Sequence, residues 1–280
     1  MPARIAVIVP CFNDADLVRQ AVGSVEEDEP VEIVVVDDHS TDPATFAVLD
    51  ELERSGLRVL RRDRNAGVAA ARQAGLGASA GEFVFPLDAD DLAVPGALAE
   101  MAAALEAAPD AAVCFGDYAE FGDSELVRAV PQRLDPYRIA YINEYPISSL
   151  FRRAALEAVG GFTPNGYAGR SYEDWNLWMT LAESGARGVH LGPGRLSYRR
   201  RLHGERKLQA GKRRHRTLYR ELRSEHPRLF CELPEHRRRS DMSGLRKRLY
   251  PVVYGRRRRF RFESRVKAAL DRLGVWTLRR

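Results

Sequence analysis

The 280-residue chain is 45% hydrophobic and 30% charged, the proportions of a globular protein long enough for one large domain, or one domain and an appendage. Its net charge of +5 conceals a division: residues 1–198 carry 16 Lys and Arg against 31 Asp and Glu, net −15, whereas residues 199–280 carry 28 against 8, net +20. Two parts so unlike in charge face different partners. No apolar run approaches the roughly 18–20 residues of a membrane-spanning helix. The run near the N-terminus stops at Pro10 and has no small-residue cleavage pattern, so it reads as a first strand and not a signal peptide. Cys11, Cys114 and Cys231 are odd in number and far apart, with no disulfide framework or metal spacing, which suits the cytosol.

Strand and helix signals alternate along the first hundred residues. A short β-branched run over 4–10 predicts a strand. Over 14–25, Leu17, Val18, Ala21, Val22 and Val25 share one helical face, with Asn13 or Asp14 as its cap. A wholly apolar strand follows at 31–38, then a helix over 43–55 entered through Pro43 and capped by Asp42. A third strand is expected at 57–62, an Ala-rich helix at 67–79, a fourth strand at 82–88 and a helix at 95–109. Residues 111–121 read as one more strand. Periodicity weakens over 122–150, which reads as loop and short strand. Helices are expected at 149–162, ended by Gly160 and Gly161, and at 171–185, ended by Gly185. Residues 186–200 suggest a hairpin or two short strands, and 209–226 a further helix. The order predicts an α/β fold: a mostly parallel, Rossmann-like central sheet with helices on both faces, followed by a basic helical extension. The domain boundary falls at 208/209.

Ligands of such sheets sit beyond the carboxyl ends of the strands, and three strands here end in polar signals: PCFND, DDHSTD and DADD. The last places Asp88, Asp90 and Asp91 within four residues. Clustered carboxylates repel unless one protonates, and a Mg²⁺ or Mn²⁺ ion on oxygen ligands removes the conflict. The competing reading is a solvated loop whose charges suit the next helix N-terminus. Asp38, nearest its strand end, can accept from a ribose hydroxyl or a base N–H. Arg72, two helical turns after Asn65, could meet a nucleobase carbonyl or a phosphate, or face solvent. GLGASAG at 75–81 is not a dinucleotide fingerprint, because it lies between a helix and a strand and has the wrong spacing. In YEDWNLW, Trp175 and Trp178 lie three apart on one face, as core residues or as a ligand platform, and Asp174 is a candidate general base, a carboxylate desolvated by aromatic bulk, or a plain charge at a helix N-terminus.

Six segments in this order (VIVPCFND, EIVVVDDHSTD, NAGVAAARQAGL, FPLDADD, SSLFRRAALEAVGGF and YEDWNLW) resemble the family-2 inverting glycosyltransferases, which have the A-type glycosyltransferase fold. The resemblance covers roughly residues 4–185. It implies a hexosyltransferase-like enzyme moving a sugar from a nucleotide-diphosphate donor to a hydroxyl acceptor, and the basic C-terminal stretch adds the expectation of a lipid-linked or cell-envelope glycan as that acceptor. Pro10, Cys11 and Asp38 would line the nucleoside pocket with Arg72 nearby, and Asp88 would contact ribose or metal. Asp90, with Asp91 beside it, would bind Mg²⁺ or Mn²⁺ bridging the donor diphosphate. Asp174 would deprotonate the acceptor hydroxyl for in-line attack with inversion. His203, in the stretch YRRRLHGERK with Arg199, Arg200 and Arg201, would stand at the metal or diphosphate, at a looser spacing than the family's. The acceptor pocket is expected from 122–150 and the loop around Gly166–Arg170.

The C-terminal stretch interleaves basic clusters with Tyr250, Tyr254, Phe260 and Phe262. Val266, Ala269, Leu270, Leu273 and Trp276 then fall at helical spacing with Arg and Lys opposite, a basic amphipathic pattern that suits an anionic membrane surface. A helix packed on the catalytic domain and a solvated tail are the other readings. Nucleic acid would need a recognition motif, and none accompanies the charge. The location expected is cytoplasmic, peripheral on the inner face of the plasma membrane if the tail binds there. Two rivals stand beside the glycosyltransferase reading: a non-catalytic basic protein acting through its tail, and a sugar-phosphate nucleotidyltransferase, which would want a Gly-rich basic loop where PCFNDAD is acidic.

Overall fold

The structure, a computed structural model, describes residues 3–123, 125–163, 172–202 and 217–254. Its centre is a seven-stranded sheet built on β1 (Ile5–Cys11), β2 (Val31–Asp37), β3 (Arg58–Arg61), β4 (Phe83–Pro86), β6 (Ala111–Phe115), β9 (Leu150–Arg152) and β10 (Arg187–His190). The order is β10-β6-β9-β4-β1-β2-β3. β1 pairs parallel with β2 and β4, β2 with β3, and β6 with β10, while β9 runs antiparallel between β4 and β6. Strand period decides the layering. Ile5, Val7, Val9 and Cys11 of β1 pack beneath α1 (Ala15–Gly23), α2 (Pro43–Arg54) and α4 (Ala97–Ala107). Ile8 turns to the other face, toward α3 (Val68–Ala78) and the core shared with α7 (Glu173–Glu183). Both faces are covered, which is why β1 and β2 read as near-continuous apolar runs.

A second sheet of four strands, in order β5-β11-β7-β8, joins β5 (Leu92–Ala93), β7 (Asp117–Gly122), β8 (Leu126–Arg128) and β11 (Leu196–Leu202). It corrects one reading of the sequence and decides another. Residues 111–121 form two strands in different sheets, broken at Gly116, where a Cβ would lie 2.7 Å from the Arg195 carbonyl. Of the two alternatives for 186–200, β10 and β11 are two separate strands and not a hairpin, because β10 pairs with β6 and β11 with β7. A further correction concerns 149–162: its first residues are β9, and only α6 (Arg153–Ala158) is helical. The antiparallel partners of β9 supply what local periodicity cannot see. Within 122–150, a short α5 (Pro136–Ile139) is capped by Asp135, which accepts from the Tyr137 and Arg138 amides.

Asp42 caps α2, accepting from the amides of Ala44 and Thr45. At α1, Asp14 holds the N-cap position, but its carboxylate accepts the Phe12 amide at 3.1 Å and makes no bond into the helix. Asn13 instead reaches across to the amides of Thr41 and Asp42, at 2.8 and 3.0 Å. Helix α8 (217–225), α9 (Pro227–Cys231), α10 (Leu233–Arg239) and α11 (Gly244–Val253) pack on α5 and α7. Tyr219 stacks on Trp175 with centroids 5.4 Å apart, and Tyr250 lies 6.1 Å from Tyr137. His226, fully buried, joins Glu183 at 2.7 Å and Asn176 at 2.8 Å. The expected boundary at 208/209, His203, the loop 166–170 and the basic stretch 255–280 lie outside the described residues.

Candidate active site

Strand order reverses between β1 and β4, and there a cavity of about 1030 Å³ opens at the carboxyl ends of the strands. Its walls are Pro10 to Asp14 after β1, Asp38 after β2, residues at the start of α3, Asp88 to Asp91 after β4, and Arg200 to Leu202 of β11. Left-handed backbone in non-glycine residues is confined, among the described residues, to Asn13, Ala15, His39 and Tyr172. Asn13 and His39 lie in the loops after β1 and β2, Ala15 opens α1, and Tyr172 stands at the N-cap of α7. Backbone held in these conformations gathers where a site over-determines it.

Asp88, Asp90 and Asp91 bring carboxylate oxygens within 4.8 Å of one another. The Asp91 amide donates to the Asp88 carbonyl at 3.0 Å, closing the turn that aims them together. Asp91 is buried and accepts the Arg201 amide at 2.8 Å, and the Arg201 guanidinium donates to the Asp90 carbonyl at 3.0 Å. β11 thus fastens the acidic turn from the second sheet. Burial, then the neighbouring Asp88, pushes the Asp91 carboxyl up to about 8, against the Arg201 amide. An all-oxygen set under such repulsion suits a hard divalent cation.

Pro10, Cys11 and Asp38 line the cavity. Asp38 is buried and already engaged. Its oxygens accept the Ala66 amide at 3.2 Å, the Gly67 amide at 2.7 Å and the Arg62 guanidinium, which fixes the turn into α3. Cys11 belongs to the core beneath the floor, and burial pushes its thiol up to about 12. Arg200 also lines the cavity and hydrogen-bonds the side chain of Tyr118, which stacks on Tyr198 at 5.2 Å.

Arg72 does not line the cavity. It is 3% exposed, with its guanidinium on Asp88 and 3.7 Å from Glu173, and so links the acidic turn to the start of α7. Asp174 lies at that start, half-buried, accepting the Trp175 amide at 2.8 Å and the Asn143 side-chain amide at 2.8 Å. Burial raises its carboxyl, the Trp175 amide and then Arg72 oppose the rise, and Asp88 adds to it. Burial and then Asp174 push Glu173 up to about 7. Trp175 and Trp178 are core, with Trp175 Nε1 donating to the Ile139 carbonyl at 2.7 Å. Sequence reasoning missed Asn143 and Arg62. Asn143 sits in an unpatterned loop with no local signal. Arg62 ends a predicted strand, a position that could have marked it.

The fold and the cavity define the class: an A-type glycosyltransferase sheet with an acidic turn at its switch point. The chain belongs to the family described as Glycosyl transferase family 2, whose model matches residues 6–162. It is 38% identical over 106 residues to the succinoglycan biosynthesis protein ExoO of Rhizobium meliloti, covering 37% of this chain and 30% of that one. The chain thus spans about a third of the length of that curated relative. Among solved structures it is similar to TarS 1–349 of S. aureus in complex with UDP-GlcNAc, with TM-score 0.62, 21% identity, and coverage of 87% of this chain and 69% of that one. It is also similar to the mannosyltransferase PcManGT of Pyrobaculum calidifontis in complex with GDP-Man and Mn²⁺, with TM-score 0.60, 19% identity, and coverage of 99% and 82%.

Proposed function

We propose that the protein is a metal-dependent, inverting glycosyltransferase that moves a sugar from a nucleoside-diphosphate donor to a hydroxyl of a cell-envelope glycan. The observation that carries this reading is the meeting of three carboxylates at the strand-end cavity, with a fourth, Asp174, joined to them through Arg72 and Glu173. Asp88, Asp90 and Asp91 would hold Mg²⁺ or Mn²⁺, which supplies Lewis-acid neutralisation of a diphosphate leaving group. Pro10, Cys11 and Asp38 bound the nucleoside, and Arg200 brings positive charge to the diphosphate. Asp174 takes the acceptor proton: burial makes it more basic than a solvated carboxylate, and Asn143 holds it in place. Arg72 keeps the two halves of the site in register. His203 is assigned to the diphosphate end. ExoO, by its name, serves succinoglycan biosynthesis, and the two solved neighbours carry nucleotide sugars, which favours this reading over nucleotidyl transfer. The basic chain from residue 209 onward is read as an attachment to an anionic membrane surface.

The test is calorimetric titration of UDP and GDP with Mn²⁺ and with chelator. The expected result is saturable binding of one nucleotide with Mn²⁺, abolished by chelator and by Asp90→Ala. Binding indifferent to both would overturn the metal assignment, and no binding of any nucleotide would overturn the enzyme reading.

A further inference from the structure

A second cavity, of about 670 Å³, lies between α5, α9, α10 and α11, and the proposed reaction uses none of its residues. Tyr137, Tyr141 and Leu233 give it an apolar wall, and Arg237, Arg238 and Lys247 a basic one. The acids nearby are committed elsewhere: Glu232 to Arg228 and His236, Glu235 to Arg238 and Arg239, Asp241 to Arg133 and Arg138. Arg237 and Lys247 are left without an ion-pair partner among the described residues. Among the described residues Lys247 Nζ donates to the Arg238 carbonyl alone, at 3.3 Å. Unpaired cations beside an aromatic wall complement a ligand with an anionic head and an apolar body. A free anion would leave the apolar wall without purpose, and a neutral lipid would leave the cations so.

We propose that this groove binds one anionic phospholipid, with its phosphate on Arg237 and Lys247 and its glycerol and first methylenes on Tyr137, Tyr141 and Leu233. The site deepens the membrane reading of the C-terminal chain and is independent of the donor chemistry.

The test uses the full chain and dihexanoyl phosphatidylglycerol below its micelle concentration, so that no membrane surface forms. Calorimetry should show saturable binding of one lipid per chain. The dihexanoyl phosphatidylcholine analogue should bind about tenfold more weakly or less, and so should phosphatidylglycerol to Arg237→Ala/Lys247→Ala. Leu233→Trp, which narrows the groove without changing charge, should weaken binding similarly, with circular dichroism confirming the fold of each variant. Inorganic phosphate binding as tightly as the lipid would reassign the site to free anions and overturn the proposal. Unchanged lipid binding in both variants would overturn it too. Co-sedimentation separates the two readings. If the chain pellets with anionic vesicles equally well with and without the double substitution, and binds no short-chain lipid, the groove fails and the membrane reading stands. If the unsubstituted chain does not pellet at all, the membrane reading fails.

Discussion

In the proposed reaction Asp174 is the base, a carboxyl whose basicity is set by opposing neighbours. Burial and Asp88 raise it, while the Trp175 amide and Arg72 stabilise its charged form. Asp174→Asn should therefore lower kcat by about 10²–10⁴-fold, the usual worth of a positioned base, while leaving nucleotide affinity unchanged by calorimetry. The base acts deprotonated, so activity should fall as pH drops through its raised pKa, above the range of a solvated carboxylate. Asn143→Ala removes a hydrogen bond to the charged form, so the acid limb of the pH–rate profile should move to higher pH. A limb that stays in place would show that Asn143 does not tune the base. Asp88, Asp90, Asp91 and Asp174 were legible in the sequence because each abuts a clear strand or helix. The partners that tune them were not, because Arg201 lies 110 residues from Asp91 and Asn143 lies 31 from Asp174.

At the scale of an element, α3 shows what its glycines are for. GLGASAG looks like a phosphate loop and is not one: Gly75 lets the helix approach the sheet, since a Cβ there would come 2.4 Å from Ile8 Cγ2, whereas Gly77 has nothing within 4 Å. Ala should thus act oppositely at the two positions. Gly75→Ala should destabilise by about 1–2 kcal/mol, overpacking outweighing the gain in helix propensity. Gly77→Ala should stabilise by about 0.5–1 kcal/mol. Urea melts would measure both, and equal effects would refute the packing account. Similarly, His226→Ala should cost about 1–3 kcal/mol in the same melts, because Glu183 and Asn176 would each lose a buried partner.

For the whole molecule, a ligand that binds only the folded chain must raise its melting temperature. Mn²⁺ with its matching nucleoside diphosphate at 100 times Kd should stabilise by about 2.7 kcal/mol. Thermal melts should lose this gain with chelator and in Asp90→Ala. Among the described residues no helix is long and apolar enough to cross a membrane. The alternation of strand and helix, the acidic strand ends and the charge division were fixed by the sequence alone, because period and local charge are properties of neighbours in the chain. The second sheet, the antiparallel β9, the burial of Arg72 between Asp88 and Glu173, and the groove of Arg237 and Lys247 were decided by tertiary structure. Each depends on pairing or packing between segments far apart in sequence, whose contact no local pattern encodes.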